Sequence, residues 1–350
     1  MASMDTREAG ADQHRLDTLA RLRTETERIL DSVLPIAGDI AYVEFSVSPN
    51  VGNHMMWLGT MDYLRSKGRR VGYVAHHLNY RGDDLRRAIG GGPILITGGV
   101  GASGLWPAIR ALRHQVVNDN PGNPIVMLPQ TVTFRDQRER AESQAVLGSH
   151  PNLTLLARDR VSLHEATTSY PSARVRLSPD LAFLLPSQPR RRAADHRVVW
   201  LARNDIEASG FAPPEDFYRF DWAAMPASEW WRAYVVMRAS GSVSRLRNRI
   251  HRRSFQRLVN PALVRSYEWT SRLLLDYGNH IADRGEVFVS DRIHGHLLAV
   301  LRGQPTVLLP DAFGKNRSIY DEWSSRFPDV YWAETVEDAL RLEILRRPEQ

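Results

Sequence analysis

Apolar residues recur along this chain in two registers, one helical and one extended. Over residues 13–33, Leu16, Leu19, Leu22, Ile29 and Val33 fall at roughly helical spacing, which predicts an amphipathic leading helix preceded by twelve frayed residues. From Asp39 onward, short β-branched runs alternate with helical patterns. The order is AYVEFSV, a helix over 54–67, RVGYVA, PILIT, a helix over 106–117, PIVMLP, LTLLA at 153–157 and a helix near 161–168. Such alternation predicts a parallel sheet wrapped by helices on both faces. The stretch PSQPRRR at 186–192 interrupts it with prolines and charge. VVWLA then opens a second series: VFVS, a helix from Ile293, PTVLLP, a helix near 318–325, VYW and a closing helix from Thr335. The expected fold is α/β, with two parallel sheets in separate domains facing a cleft. The domains expected are a helical extension over 1–34, an N-terminal domain over 35–188, and a C-terminal domain over 189–350. A basic insertion is expected at about 225–265.

Composition narrows the chemistry. With 43% apolar and 25% charged residues among 350, the chain has a globular profile and room for two domains. It has no cysteine, hence neither disulfides nor thiolate metal sites. No apolar run approaches the roughly 20 residues that span a bilayer, so a cytoplasmic place is expected, with contact at the inner membrane face left open. The formal charge of +6 comes from 46 basic against 40 acidic residues. Most of the basic ones are arginine, which grips carboxylates and phosphates through paired hydrogen bonds. In the insertion, Trp230 and Trp231 lead into arginines at 245, 247, 249, 252, 253 and 257. That segment reads as a mobile lid, as a surface for anionic lipid or a pyrophosphate, or as a solvated helical face.

In open parallel sheets ligands sit beyond the carboxyl ends of the strands, so the loops there are the candidates. SDRIHGH at 290–296 joins the strand VFV to an apolar helix, and sets Arg292 and His294 where free N–H groups welcome an anion. His294 can exchange a proton near neutral pH, and Asp291 is a candidate helix cap. SPNVGNH at 48–54 and TGGVGASG at 97–104 suit close backbone approach to a ligand, through Asn53 and Gly99 among others. Their spacing fits neither the P-loop nor the dinucleotide fingerprint. PQTV at 129–132 offers the amide of Gln130. Arg158 and Arg203 end two further strands, and Lys315 lies in FGKN after PTVLLP. Several cations in one cleft call for an anionic partner. No HExxH or carboxylate cluster calls for a metal.

Read in order, GN at 52–53, ILITGGVG, LPQTV, ARDRVSLHEA, LSPDLAFLL and VSDRIHGHLLAVLRGQPTVLLPDAFGKN resemble the polysaccharide pyruvyl transferase family over about residues 40–325. The resemblance implies two Rossmann-like domains arranged as in GT-B glycosyltransferases. It implies phosphoenolpyruvate as donor, a saccharide hydroxyl pair as acceptor, and a pyruvate ketal as product, with no cofactor. By motif, His294 would be the catalytic acid/base. Arg292, Arg158, Arg203, Lys315 and Gly295 would hold the donor, with Asn53, Gly99, Gln130 and Asp291 around the acceptor or its loops. The family's Gly-Asn-x-Gly-Asp turn reads GNHMM here, without the acidic residue, whereas its Arg-x-Asp is kept at 203–205. Two other readings stand beside this one: a GT-B glycosyltransferase using a nucleotide sugar, and a nucleic-acid binder working through the 245–257 arginines. The latter leaves the strand-end loops without purpose.

Overall fold

The computed structural model describes residues 2–35, 38–99, 106–250 and 253–345. In chain order the first half comprises α1 (Ala2–Val33), β1 (Ile40–Val43), α2 (Val51–Ser66), β2 (Val71–Ala75), α3 (Gly82–Ile89) and β3 (Ile94–Ile96). It continues with α4 (Pro107–Asp119), β4 (Ile125–Gln130), α5 (Gln137–Leu147), β5 (Leu153–Ala157), α6 (Arg160–Ser169) and β6 (Arg174–Leu177). The six strands form one wholly parallel sheet in the order β2-β1-β3-β4-β5-β6. The continuous apolar runs predicted this, because strands covered on both faces need no polar alternation. Asp136 and Asp159 start α5 and α6 by accepting from Glu139 N and Ser162 N, as short acidic caps do.

The second half comprises β7 (His196–Leu201), β8 (Tyr218–Phe220), α7 (Ala227–Arg249), α8 (Arg253–Asp283), β9 (Gly285–Ser290), α9 (Ile293–Arg302), β10 (Thr306–Leu308), α10 (Lys315–Glu322), β11 (Val330–Trp332) and α11 (Val336–Arg341). Its five parallel strands run β11-β10-β9-β7-β8. Counted from its own first strand, this sheet has the order 2-1-3-4-5, which the first sheet shares and extends by a sixth strand. In each, the order reverses between the first and third strands, β1/β3 in one and β7/β9 in the other. A doubly wound sheet opens its crevice at that point.

Three features depart from the sequence reading. The leading helix starts at Ala2, not after twelve frayed residues, for nothing before Gly10 disfavours a helix and no proline interrupts it. The edge strands β6 and β8 escaped notice because RVRL and YRF are short and carry arginine. The basic segment, expected as an insertion at about 225–265, is a helical hairpin of α7 and α8, and α8 runs beyond the expected bound to Asp283. The hairpin follows β8 of the second sheet but packs on the first half. Tyr267 stacks on Phe45 at 4.1 Å, and the buried Arg247 donates to Val74 O at 2.8 Å. One apolar core therefore runs through both halves, from Leu22 of α1 and Met56 of α2 to Leu263 of α8 and Leu298 of α9.

Candidate active site

A cavity of about 400 Å³ lies between the two sheets. Its lining comes from both reversal points: the segments after β1 and β3 on one side, and those after β7 and β9 on the other. The first turn of α2 and the first turn of α9 also face it, through Asn50 and Asn53 and through Ile293 and His294. Two helix amino termini, with their free N–H groups and positive dipole ends, thus border one space, which suits it to an anion.

His294 stands second in α9, after Arg292 in the cap position. Its ring is 8% exposed, so a ligand in the cavity can reach it. Nε2 lies 3.3 Å from the carboxylate of Asp180. Asp180 is itself buried, caps the turn after it by accepting from Ala182 N, and meets Arg158 Nη1 at 3.3 Å. Burial alone would push this carboxyl up, but His294 and Arg158 prevail and hold it well below the usual range. His296, by contrast, is fully buried, faces Thr306 at 3.3 Å, and is pushed down to about 3 by burial. Of the two histidines in the motif, only His294 borders the cavity. Gly52 makes its placement feasible: a Cβ there would overlap the His294 ring.

Arg158 lines the cavity at 1% exposure, its Nε donating to Thr131 Oγ1 at 2.9 Å. Its Nη2 has no hydrogen-bond partner among the described residues. A buried guanidinium N–H left unpaired costs on the order of 1–3 kcal/mol, which an anion in the cavity would relieve. The cations of the opposite wall are arranged differently. Arg203 pairs with Asp205 and Glu207, both at 2.6 Å, and Arg292 with Asp221 at 2.8 Å and Asp205 at 3.1 Å. Lys315 pairs with Glu207 and, at 2.8 Å, with Asp311. The expectation that converging cations demand an external anion fails for this wall, because its own carboxylates balance them. Burial opposes ionisation of Asp205, yet Arg203 and Arg292 keep its carboxyl below the usual range.

Of the residues picked out from sequence, His294, Arg292, Arg158, Arg203, Lys315, Asn53 and Gly99 all line the cavity. Gly99 adopts φ +104°, open to glycine, while residues 100–105 of its loop lie outside the described residues. Three others sit behind the lining. Gly295 turns its Cα toward Leu201, Ser290 and Phe288, where a side chain would not fit. Gln130 is fully buried and accepts from Arg113 Nη1 at 2.6 Å. Asp291 caps no helix; it accepts from Arg203 N at 2.8 Å and so shapes the loop after β7, with its carboxyl pushed up by burial.

Sequence reasoning overlooked Glu44, Asp180, Arg113 and Trp222. Glu44 directly follows β1 at φ +73°, a conformation costly for a side chain with a Cβ, and is held there by buried Arg113 through contacts of 2.6 and 3.0 Å. Burial pushes its carboxyl up against the pull of Arg113. Nothing local announces such a pair, for its members lie 69 positions apart. Among the described residues no group of three or more histidine or carboxylate side chains gathers as a metal-holding cluster, and no helix is long and apolar enough to cross a membrane.

A profile of the polysaccharide pyruvyl transferase family matches residues 50–311. The chain is 22% identical to EpsO of Bacillus subtilis, provisionally called a pyruvyl transferase, over 89% of this chain and 94% of that one. It is 26% identical to pyruvyl transferase 1 of Schizosaccharomyces pombe, over 81% of this chain and 69% of that one. General stress protein 30 of B. subtilis is 22% identical, over 81% and 73%. A crystal structure of a functionally uncharacterised protein from Klebsiella pneumoniae shares the fold, with a TM-score of 0.56 at 14% identity, covering 90% of this chain and 99% of that one.

Proposed function

The chain belongs to the polysaccharide pyruvyl transferase family, and on that premise we propose that it moves the pyruvyl group of phosphoenolpyruvate onto a hydroxyl pair of a saccharide, forming a ketal and releasing phosphate. The observation that carries this reading is the unpaired Nη2 of Arg158 beside His294, at the meeting of two helix amino termini. A small, multiply charged donor suits that corner. Its carboxylate or phosphate would take the free N–H, and Arg292, Arg203 and Lys315 would exchange part of their carboxylate pairing for donor oxygens. The meeting of two sheet reversal points in one cavity supports a GT-B-like arrangement.

Chemically, C2 of the enol phosphate becomes electrophilic when C3 takes a proton. One sugar hydroxyl then attacks C2, phosphate departs, and the second hydroxyl closes the ring on the same carbon. The two hydroxyl protons balance the reaction, one ending on C3 and one on phosphate. His294 has the reach and the proton chemistry for this transfer, worth about 10²- to 10⁴-fold in rate. Asp180 stands 3.3 Å behind its ring, while the arginines stabilise charge on the departing phosphate.

The test is phosphate release from phosphoenolpyruvate with a panel of free and lipid-linked saccharides. Release should require acceptor and fall about 10²-fold or more in His294→Ala. Release that is indifferent to His294, or tight binding of nucleotide sugars without any phosphoenolpyruvate turnover, would overturn the assignment.

A further inference from the structure

Helix α7 is built the wrong way round for a protein surrounded by water. Its buried side presents Ala233, Ser240, Ser244 and Arg247. Its outward stripe, at helical spacing, runs Trp231, Tyr234, Val235, Arg238, Ser242, Arg245, Leu246 and Arg249. Trp231 and Val235 are each 53% exposed and Leu246 is 48% exposed. On α8, Leu258 at 73% and Trp269 at 45% also stand out of the surface. Soluble chains seldom leave so much large apolar surface grouped in one place unless something covers it.

Charge says what kind of partner fits. Residues 227–265 hold nine arginines and a single acid, Glu229. The arginines are interleaved with the apolar groups: Arg232 lies over the ring of Trp231 and Arg238 over that of Tyr234, each at 5.6 Å. We propose that the outward face of α7, with the adjoining exposed residues of α8, docks on the surface of an anionic lipid bilayer. Tryptophan, tyrosine and leucine enter the interfacial layer while the arginine stems lie along it and their guanidinium groups meet lipid phosphates. A second copy of the same face would set arginine against arginine. An acidic protein or nucleic acid would satisfy the arginines and leave the apolar groups in water.

The hairpin has a firm seat beside the cavity. Asn79 donates to Ser244 at 2.9 Å and to Tyr267 at 3.1 Å, two positions from His77, which lines the cavity. A docked hairpin therefore brings the cavity to the membrane, where a lipid-linked saccharide would be found. The docking itself does not depend on the chemistry proposed for the cavity.

The test is co-flotation of the full chain with vesicles of phosphatidylcholine alone or with about one third phosphatidylglycerol. Binding is expected only to the anionic vesicles and should weaken with salt. Trp231→Ser with Val235→Ser, and separately Arg238→Glu with Arg245→Glu, should each weaken it more than about tenfold. Leu258→Ser gives a third, single-site variant should either pair fail to fold. Phosphate release with a water-soluble acceptor should stay unchanged in all of them, which separates failure of docking from failure of the pyruvyl reading. Absence of binding to anionic vesicles, binding indifferent to all three variants, or a wild-type dimer that the apolar variants dissociate would overturn the proposal.

Discussion

Asp180 touches no solvent, yet it holds two groups of the cavity wall at once, His294 and Arg158. Its replacement by asparagine keeps the shape and the cap to Ala182 but removes the charge that orients both. We expect kcat of Asp180→Asn to fall about 10²-fold, the scale on which a slightly misplaced catalytic group fails, and thermal stability to fall as well, because Arg158 is left buried without its counter-charge. Wild-type turnover in that variant would remove Asp180 from the mechanism. Gly52→Ala works from the opposite side. The added methyl must push the His294 ring or shift α2, an overpacking that costs about 1–3 kcal/mol. The expected result is at least a tenfold loss of kcat, far beyond what the modest stability loss in urea explains. His294 and its arginines were legible because each sits at the seam between an apolar strand and a helix. Asp180, Arg113 and the left-handed Glu44 were not, since their meaning arises only when residues distant in sequence meet.

At the scale of elements, the strands that read clearly are those with unbroken apolar runs, β3, β4, β5, β9 and β10, all covered on both faces. LTLLA at 153–157 coincides with β5 to the residue. Of the four edge strands, the two that escaped, β6 and β8, hide behind arginine, which a strand tolerates where one side meets water. AYVEFSV promised seven extended residues and yields three, Ala41, Tyr42 and Val43, because Glu44 breaks the strand to reach Arg113 from α4. The helical hairpin escaped for a related reason. In α7 small and polar residues mark the buried side and aromatic residues the exposed one, so hydrophobic periodicity pointed away from its true packing.

For the whole molecule, three buried histidines set an acid limit. Burial pushes His54 and His76 down to about 4 and His296 to about 3, from an ordinary 6.5. The fold keeps them neutral while the unfolded chain lets them charge. Their contribution to stability is therefore complete above pH 6.5 and is lost as the pH falls toward 4, each adding a slope of up to about 1.4 kcal/mol per pH unit. Urea midpoints should drop steeply between pH 6.5 and 4. His54→Gln should flatten the slope by about one proton. A stability flat across this window would mean that these rings are not buried neutral. His54 carries further weight because it bonds Ser271 of α8 at 2.9 Å and Ser48 O of the cavity loop at 2.9 Å, so its protonation pulls at the seam between the halves.

That seam is crossed twice. Helix α8 leaves the second sheet to roof the first. Helix α1 lies against both, with Tyr63 donating to Asp31 at 2.8 Å on one side, and His14 at 3.2 Å from Arg326 O on the other. The chain is thus laced, not hinged. Two sheets that meet over a cavity would ordinarily open and shut like jaws, and the traffic of ligands would follow that swing. Because the laces tie the jaws together, we expect ligands to pass through the mouth of the cavity with little swing of the halves, so that a cross-link between the halves should leave turnover nearly unchanged.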